Sequence, residues 1–253
     1  QKVAPARGSA VGSAASGDGE VGMTDHSALR DKLHAMELFR SRLLEWIRDG
    51  TDGGVSIDGL WQCRRALEDG RTLFDLAACS LTPYGSTVTG LVLPSSDVDL
   101  SLNLSTVRGY PADGRRAAKW LGSLLWKAPL RRCIVVAGAR WPVVKVCSAD
   151  GVEADICVNN DVGMRTSVLL ARYFAEDPML RPLVLLLKRW AAARGILGGS
   201  TGHLCSFGLV LLATFYLQRT GRLTCVPLDD LAAMGAAPLE RACKDAAARA
   251  TRE

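Results

Sequence analysis

A glycine–serine pair and two closely spaced aspartates lie between residues 85 and 99. Gly85 and Ser86 are followed by Asp97 and Asp99, within a run rich in Val and Leu. In an extended strand, residues i and i+2 point to the same face, so the two carboxylates lie side by side. Like charges this close repel, and Mg²⁺, which prefers oxygen ligands, removes that cost. The pattern therefore predicts a strand that presents a metal site.

The turn before this strand strengthens that interpretation. A glycine–serine turn offers backbone amides and a hydroxyl, which suit an incoming phosphate. An Asp-x-Asp sequence alone also occurs in solvated turns beside an edge strand, and short motifs match by chance often. It is the turn at Gly85 and Ser86, at this distance from the aspartates, that favours a phosphate-binding metal site.

Two further apolar runs predict a β-hairpin that carries a third carboxylate. Residues 141–146 and 152–158 are separated by a Ser-Ala-Asp-Gly turn, and such an arrangement is typical of paired strands. Asp155 lies in the second run, where a charge is costly unless a cation binds it. We expect the carboxylates of Asp97, Asp99 and Asp155 to converge on one or two divalent ions.

Taken together, these motifs resemble the DNA polymerase β-like nucleotidyltransferases, in the branch of trypanosomal-type terminal uridylyltransferases and cytoplasmic-type poly(A) polymerases. In that family a glycine–serine turn, an Asp-x-Asp strand and a later Asp build a two-metal site. The matching residues here are Gly85, Ser86, Asp97, Asp99 and Asp155. The family's Arg-x-Pro-h-h-Lys strand has counterparts in Arg140, Pro142 and Lys145. The likeness covers about residues 60–230.

The resemblance also implies which residues contact the nucleotide. The implied set is Gly85, Ser86, Asn159, Asn160, Thr166, Lys188, Ser206 and Phe207. Lys188 would grip the triphosphate, the Ser206 hydroxyl would meet it, and Phe207 would stack on the base where the family has Tyr. A solvent-facing Lys188 and a core Phe207 are the structural alternatives.

Two departures from the family pattern bear on function. Many members carry a second lysine one helical turn after the first, and that position here is Ala192. The chain also ends at Glu253, whereas the family's helical domain continues and there supplies residues that discriminate uracil from adenine. We expect this sequence to be a fragment or a reduced form of that domain, with poor base discrimination by itself.

Composition agrees with an intracellular enzyme. The chain has 253 residues, a net charge of +5 and eight cysteines without a C-x-x-C pair, which favours buried, reduced thiols. The longest apolar run is too short to span a bilayer, and no secretory signal is visible. We expect no membrane association and a mitochondrial location, with the cytoplasm as the alternative.

Periodicity divides the chain into four parts. Residues 1–25 are expected to form a flexible tail, and 26–57 an N-terminal helix that packs on the helical domain. Residues 58–160 would form the catalytic domain, and 161–253 a partial helical nucleotide-recognition domain. Helices are predicted over 27–47, 60–79, 117–126, 177–195 and 202–217, with a loop at 51–57. Trp141 and Trp190 are expected in the core.

These observations predict an α+β fold, with a polymerase β-like mixed sheet followed by an incomplete helical domain. The predicted function is a template-independent RNA 3′-terminal nucleotidyltransferase that adds UMP from UTP by two-metal chemistry with Mg²⁺ or Mn²⁺. One alternative is an ATP-using, poly(A) polymerase-like enzyme. Another is a weakly active relative that serves as an RNA-binding or scaffold subunit. Expected partners are UTP or ATP, a single-stranded RNA 3′ end and subunits of an RNA-processing complex.

Overall fold

The computed structural model describes residues 24–49, 79–93, 96–104, 113–198 and 202–252, with side chains of the first segment from residue 27 to 48. The predicted loop at 51–57 lies outside the described residues, as does the predicted helix at 60–79 apart from Cys79. Most of the predicted tail, residues 1–23, also lies outside them.

Five strands form one mixed sheet. They are β1 (Ser80–Tyr84), β2 (Val98–Asn103), β3 (Arg132–Val136), β4 (Val143–Cys147) and β5 (Glu153–Val158), in the order β1-β2-β5-β4-β3. β2 and β5 pair in parallel, and the other neighbours are antiparallel. The antiparallel β4 and β5 confirm the predicted hairpin, and the mixed sheet confirms the α+β class.

Eight helices surround this sheet in the described part of the chain. They are α1 (Thr24–Asp49), α2 (Ser86–Thr89), α3 (Gly114–Leu125), α4 (Asp161–Glu176), α5 (Leu180–Ala193), α6 (Ser206–Arg219), α7 (Asp229–Ala233) and α8 (Ala236–Arg252). The predicted helix at 177–195 starts later than expected. The Asp177 side chain accepts a hydrogen bond from the Met179 amide, which forms a turn before α5.

The N-terminal helix α1 packs on the sheet, and its expected packing on the helical domain stays a prediction. The buried α1 residues Phe39, Leu43 and Ile47 share one core with Leu100 of β2 and Leu121 of α3. The physical reason is that the face of β2 opposite the aspartates is fully apolar and must be covered by an apolar helix face.

The remaining helices build two smaller cores beside the sheet. α4, α5 and α6 pack through a set that includes Phe174, Leu180, Val184, Val210 and Leu217. α8 packs against α2 and α4, where Leu239 and Cys243 meet Val88, Met164 and Val168. Although α8 is rich in alanine and charge, its few large apolar residues are therefore buried.

The two tryptophans expected in the core lie at the surface. Trp141 is 49% exposed at the turn before β4, and Trp190 is 51% exposed on α5. Trp190 is exposed because the buried face of α5 is formed by Leu180, Val184, Lys188 and Ala191. Four of the described cysteines are buried, as expected: Cys79, Cys147, Cys157 and Cys243. No described helix is both long and apolar enough to cross a bilayer.

Candidate active site

The sheet brings the three predicted carboxylates together. Asp99 of β2 and Asp155 of β5 are direct partners across the parallel pair, and Asp97 lies just before β2. Burial raises the pKa of Asp99 to about 7, and the negative charges of Asp97 and Asp155 add to that shift. The electrostatic coupling follows directly from the register, because parallel neighbours lie about 4.8 Å apart.

Two lysines supply positive charge to this cluster. Lys145 of β4 is the antiparallel partner of Asp155 and donates a hydrogen bond to its carboxylate. Burial opposes the charge on Lys145, but this hydrogen bond and the nearby aspartates raise its pKa. Lys188 of α5 is buried, with its Nζ 2.7 Å from the Leu91 carbonyl oxygen. Burial lowers the pKa of Lys188, and the charges of Asp97 and Asp99 act in the opposite direction.

The glycine–serine turn lies directly against Asp99. Gly85 has a φ of +67°, and a Cβ built on it would be 2.2 Å from Asp99 Oδ2. The Gly85 amide, expected to be free for a phosphate, instead donates to Ser167 Oγ at 2.7 Å. α2 begins at the next residue, and no side chain caps it. A phosphate would therefore meet Ser86 and the amides that follow it.

A buried polar network supports the same face of β2. Ser101 donates to Asn103, and the Asn103 amide donates to Thr82 on β1 at 3.0 Å. The Asn160 amide donates to Ser101 Oγ at 3.0 Å. Because each of these buried groups has a partner, the network fixes β1, β2 and the start of α4 relative to Asp99.

The three residues predicted to contact the nucleotide sugar all hold local backbone. Asn159 Oδ1 accepts from the Leu104 amide at 2.7 Å, and Asn160 Oδ1 accepts from the Gly163 amide at 3.0 Å. Thr166 Oγ1 donates to the Val162 carbonyl at 2.7 Å. These bonds shape the turn from β5 into α4, and a sugar contact by the same residues stays a prediction.

Ser206 and Phe207 lie at the start of α6, where Cys205 Sγ accepts from the Gly208 amide. Phe207 is 44% exposed, so it is not a core residue, which was the structural alternative to stacking on the base. Among the described residues, no hydrogen bond joins Ser206 or Phe207 to the carboxylates, and their contact with a nucleotide stays a prediction. Ala192 is exposed, whereas Lys188 is buried on the same helix.

Sequence reasoning missed several residues that complete the site. Tyr84 is the cross-strand partner of Asp99, and its hydroxyl donates to Cys157 Sγ at 3.5 Å. Burial raises the pKa of Tyr84 far above its ordinary value, so the ring stays neutral. Lys145 was identified in the sequence as part of the Arg-x-Pro-h-h-Lys strand, but its pairing with Asp155 was not predicted. No sequence signal pointed to Ser167, because its partner is a backbone amide distant in sequence.

The chemistry of the three carboxylates suits a divalent cation. Three carboxylates offer the oxygen ligands that Mg²⁺ and Mn²⁺ accept. Within the described segments, however, no three His, Cys, Asp or Glu side chains are already grouped to hold a metal. The reason is visible in the contacts, because Asp155 is paired with Lys145 and Asp99 packs against Gly85. A cation held by Asp155 would compete with Lys145 for that carboxylate.

Comparison with known proteins agrees with this geometry. The sequence profile of the family described as poly(A) RNA polymerase, mitochondrial-like, central palm domain matches residues 61–175. This match spans less than half of the chain and agrees with the resemblance to the polymerase β-like nucleotidyltransferases. The chain is 38% identical over 140 residues to Poly(A) RNA polymerase GLD2-B of Xenopus laevis, in an alignment that covers 53% of this chain and 27% of the relative.

Other relatives give the same result. The Danio rerio GLD2 poly(A) RNA polymerase is 36% identical over 162 residues, covering 62% of this chain and 32% of that protein. The chain thus spans about a third or less of the length of these relatives. The fold matches terminal uridylyl transferase 4 of Trypanosoma brucei with bound dUTP, at a TM-score of 0.56 and 21% identity. That match covers 85% of this chain and 65% of the other.

We predict that Gly85→Ala disturbs the site, whereas Gly151→Ala does not. Both glycines have positive φ, at +67° and +84°, but a Cβ on Gly151 would meet no atom within 4 Å. Both variants should therefore lose about 1–3 kcal/mol of stability through backbone strain. Only Gly85→Ala should also displace Asp99 and weaken Mn²⁺ binding in an EPR titration. Equal Mn²⁺ affinity in the two variants would contradict the close contact between Gly85 and Asp99.

A second prediction concerns the pH dependence of stability without metal. The pKa of Asp99 is higher in the folded protein than in the unfolded chain, so protonation of Asp99 stabilises the folded state. This stabilisation is complete below the ordinary pKa of 3.8 and is lost as the pH rises through about 7. In EDTA, wild-type protein should therefore lose about 2–3 kcal/mol relative to Asp99→Asn between pH 5 and pH 8.

Thermal melts of both proteins across this pH range provide the measurement, with about 2–4 °C expected per kcal/mol. Asp150→Asn is the matched control, since Asp150 is exposed in the turn between β4 and β5. Melting curves for Asp99→Asn that run parallel to wild type would show that Asp99 is not held in a repulsive environment.

Proposed function

We propose that the protein is a template-independent RNA nucleotidyltransferase that adds nucleotides to RNA 3′ ends. The observation that carries this proposal is the register of Asp99 with Asp155, beside Asp97 and the turn at Gly85. Three coupled carboxylates on neighbouring strands are costly for a purely structural protein, because nothing in folding alone rewards them. Similarity to the poly(A) RNA polymerase palm domain and to a GLD2 poly(A) RNA polymerase supports a nucleotidyl transfer reaction.

The proposed reaction moves a nucleoside monophosphate to RNA. The RNA 3′ oxygen bonds to the α-phosphorus, the bond from that phosphorus to the bridging oxygen breaks, and pyrophosphate leaves. Divalent cations, when bound, supply positive charge that stabilises the transferring phosphate and lowers the pKa of the RNA hydroxyl. Asp97, Asp99 and Asp155 are the residues that would hold them.

The other side chains orient the nucleotide in this proposal. Ser86 donates its hydroxyl to a phosphate at the start of α2, and Lys188 adds a positive charge on the same side as Asp97 and Asp99. Ser206 contributes a second hydroxyl, and Phe207 offers an exposed ring for stacking on the base. Because Lys188 is buried beside two carboxylates, a contact with an anionic ligand is better supported than the role of a solvent-facing helix lysine.

ATP is the favoured nucleotide, which replaces the UTP preference expected from sequence. The curated relatives include several GLD2 poly(A) RNA polymerases with 34–38% identity. Solved structures do not decide between the nucleotides, since mtPAP has been crystallised in complex with UTP and also with GTP. Uridylyl transfer stays the second candidate, favoured by the fold match to the trypanosomal uridylyl transferase.

The proposal predicts extension of an RNA primer. The protein is incubated with Mg²⁺ or Mn²⁺, a labelled 15-nucleotide single-stranded RNA and each nucleoside triphosphate separately. We expect a product ladder that is longest with ATP. Asp97→Ala should reduce it at least a hundredfold, because metal charge stabilisation supplies several kcal/mol. Asp150→Ala, which removes an exposed carboxylate from the hairpin turn, should leave the ladder unchanged.

The outcomes separate the alternatives. A ladder that is longest with UTP would overturn the choice of ATP but keep the chemistry. Absence of extension with every nucleotide, despite a folded protein, would favour the non-catalytic RNA-binding or scaffold alternative. Equal loss of activity in Asp97→Ala and Asp150→Ala would show that the carboxylate cluster is not the active site.

A further inference from the structure

A groove of about 520 Å³ lies between α1 and α8, outside the site described above. Its floor includes Pro83 of β1, Thr87 of α2 and Val98 of β2. The Val98 side chain points to the opposite face of β2 from Asp97 and Asp99, since successive side chains alternate along a strand. The groove therefore lies behind the catalytic strand and is separate from the nucleotide pocket.

The two rims of the groove are positively charged. Arg30 and Arg40 of α1 face Lys244 and Arg252 of α8, and Glu37 is the one carboxylate among the described lining residues. Arg40 pairs with Glu37, and Lys244 lies 4.0 Å from Glu240. Neither Arg30 nor Arg252 has a hydrogen bond or ion pair with any residue that the structure describes. Two cations are thus available to a ligand.

The floor contains one unsatisfied polar atom. Thr87 Oγ1 is buried and, within the described part of the chain, has no hydrogen-bond partner. A buried hydroxyl without a hydrogen-bond partner is unfavourable. Thr87 also directly follows Ser86, so a ligand in the groove would contact the same short helix that starts at the glycine–serine turn.

We propose that this groove binds the sugar-phosphate backbone of single-stranded RNA, upstream of the 3′ end that is extended. This inference rests on the proposed function for the identity of the polyanion. The cations lie along two helices, with Arg30 and Arg40 about 15 Å apart along α1, so they match a linear polyanion better than a single small anion. No Phe, Tyr or Trp is among the described lining residues, and His34 is the one residue there with a ring that could stack on a base.

The mode of binding has two consequences. Because contacts are made to phosphates, affinity should fall steeply with salt and should not depend on base sequence. Because the groove lies behind β2, an RNA whose 3′ end lies at the carboxylates reaches it only if the RNA is long enough. A 6-nucleotide RNA bound in that way should therefore be insensitive to changes in the groove that weaken binding of a 20-nucleotide RNA.

The experiment compares two charge-reversed proteins on the same helices. Arg30→Glu with Arg252→Glu changes the groove, and Arg42→Glu with Arg249→Glu makes the same change in charge at exposed positions that do not line it. Binding of labelled 6- and 20-nucleotide RNAs is measured by fluorescence anisotropy in EDTA at several salt concentrations. Thermal melts verify that both proteins are folded.

The groove variant should bind the 20-nucleotide RNA at least tenfold more weakly, with its salt slope reduced by about 1.4 for two lost phosphate contacts. The control variant should change by less than twofold. Equal losses in both variants would overturn the proposal. A glutamate-rich peptide would serve as a second probe. If the peptide bound to the groove and the groove variant kept its RNA affinity, the groove would instead be assigned to an acidic protein partner.

The binding assay contains neither metal nor nucleotide, so its result is independent of nucleotide transfer. Groove-dependent RNA binding without primer extension would uphold the groove and overturn the proposed activity. Primer extension together with RNA binding that does not depend on the groove would uphold the proposed activity and overturn the groove proposal.

Discussion

Repulsion among three carboxylates is the constraint on which the site depends. Asp97, Asp99 and Asp155 are brought together by the parallel pairing of β2 and β5, and burial raises the pKa of Asp99 to about 7. In the protein without metal, Lys145 offsets part of this charge through its contact with Asp155. A divalent cation held by Asp155 would therefore compete with this protein cation.

The rest of the sheet serves to hold that pairing in register. The apolar face of β2 is covered by α1 and α3, and the opposite face carries the hydrogen-bonded network through Ser101 and Asn103. A one-residue slip of β2 would exchange these faces, burying Asp99 in the apolar core. The position of Asp99 is therefore specified by packing and by hydrogen bonding together.

Local sequence signals predicted the parts of the site but not how they are satisfied. The Asp-x-Asp spacing and the hairpin at 141–158 follow from the period of a strand, which is why Asp99, Asp155 and β4–β5 could be predicted. The packing of α1 on the sheet depends on which apolar face is left uncovered, and periodicity carries no such information. The bond from the Gly85 amide to Ser167 joins residues 82 apart in sequence, beyond the reach of any local pattern.

We infer that this cluster binds divalent cations with Asp155 released from Lys145. A crystal structure with Mn²⁺ and a non-hydrolysable nucleoside triphosphate tests this inference most directly, through the anomalous signal of manganese. We expect manganese peaks at about 2.0–2.3 Å from carboxylate oxygens of Asp97 and Asp99, with Asp155 turned away from Lys145 and toward the metal. A bound nucleotide with no manganese at these carboxylates, and an intact pair between Lys145 and Asp155, would contradict it.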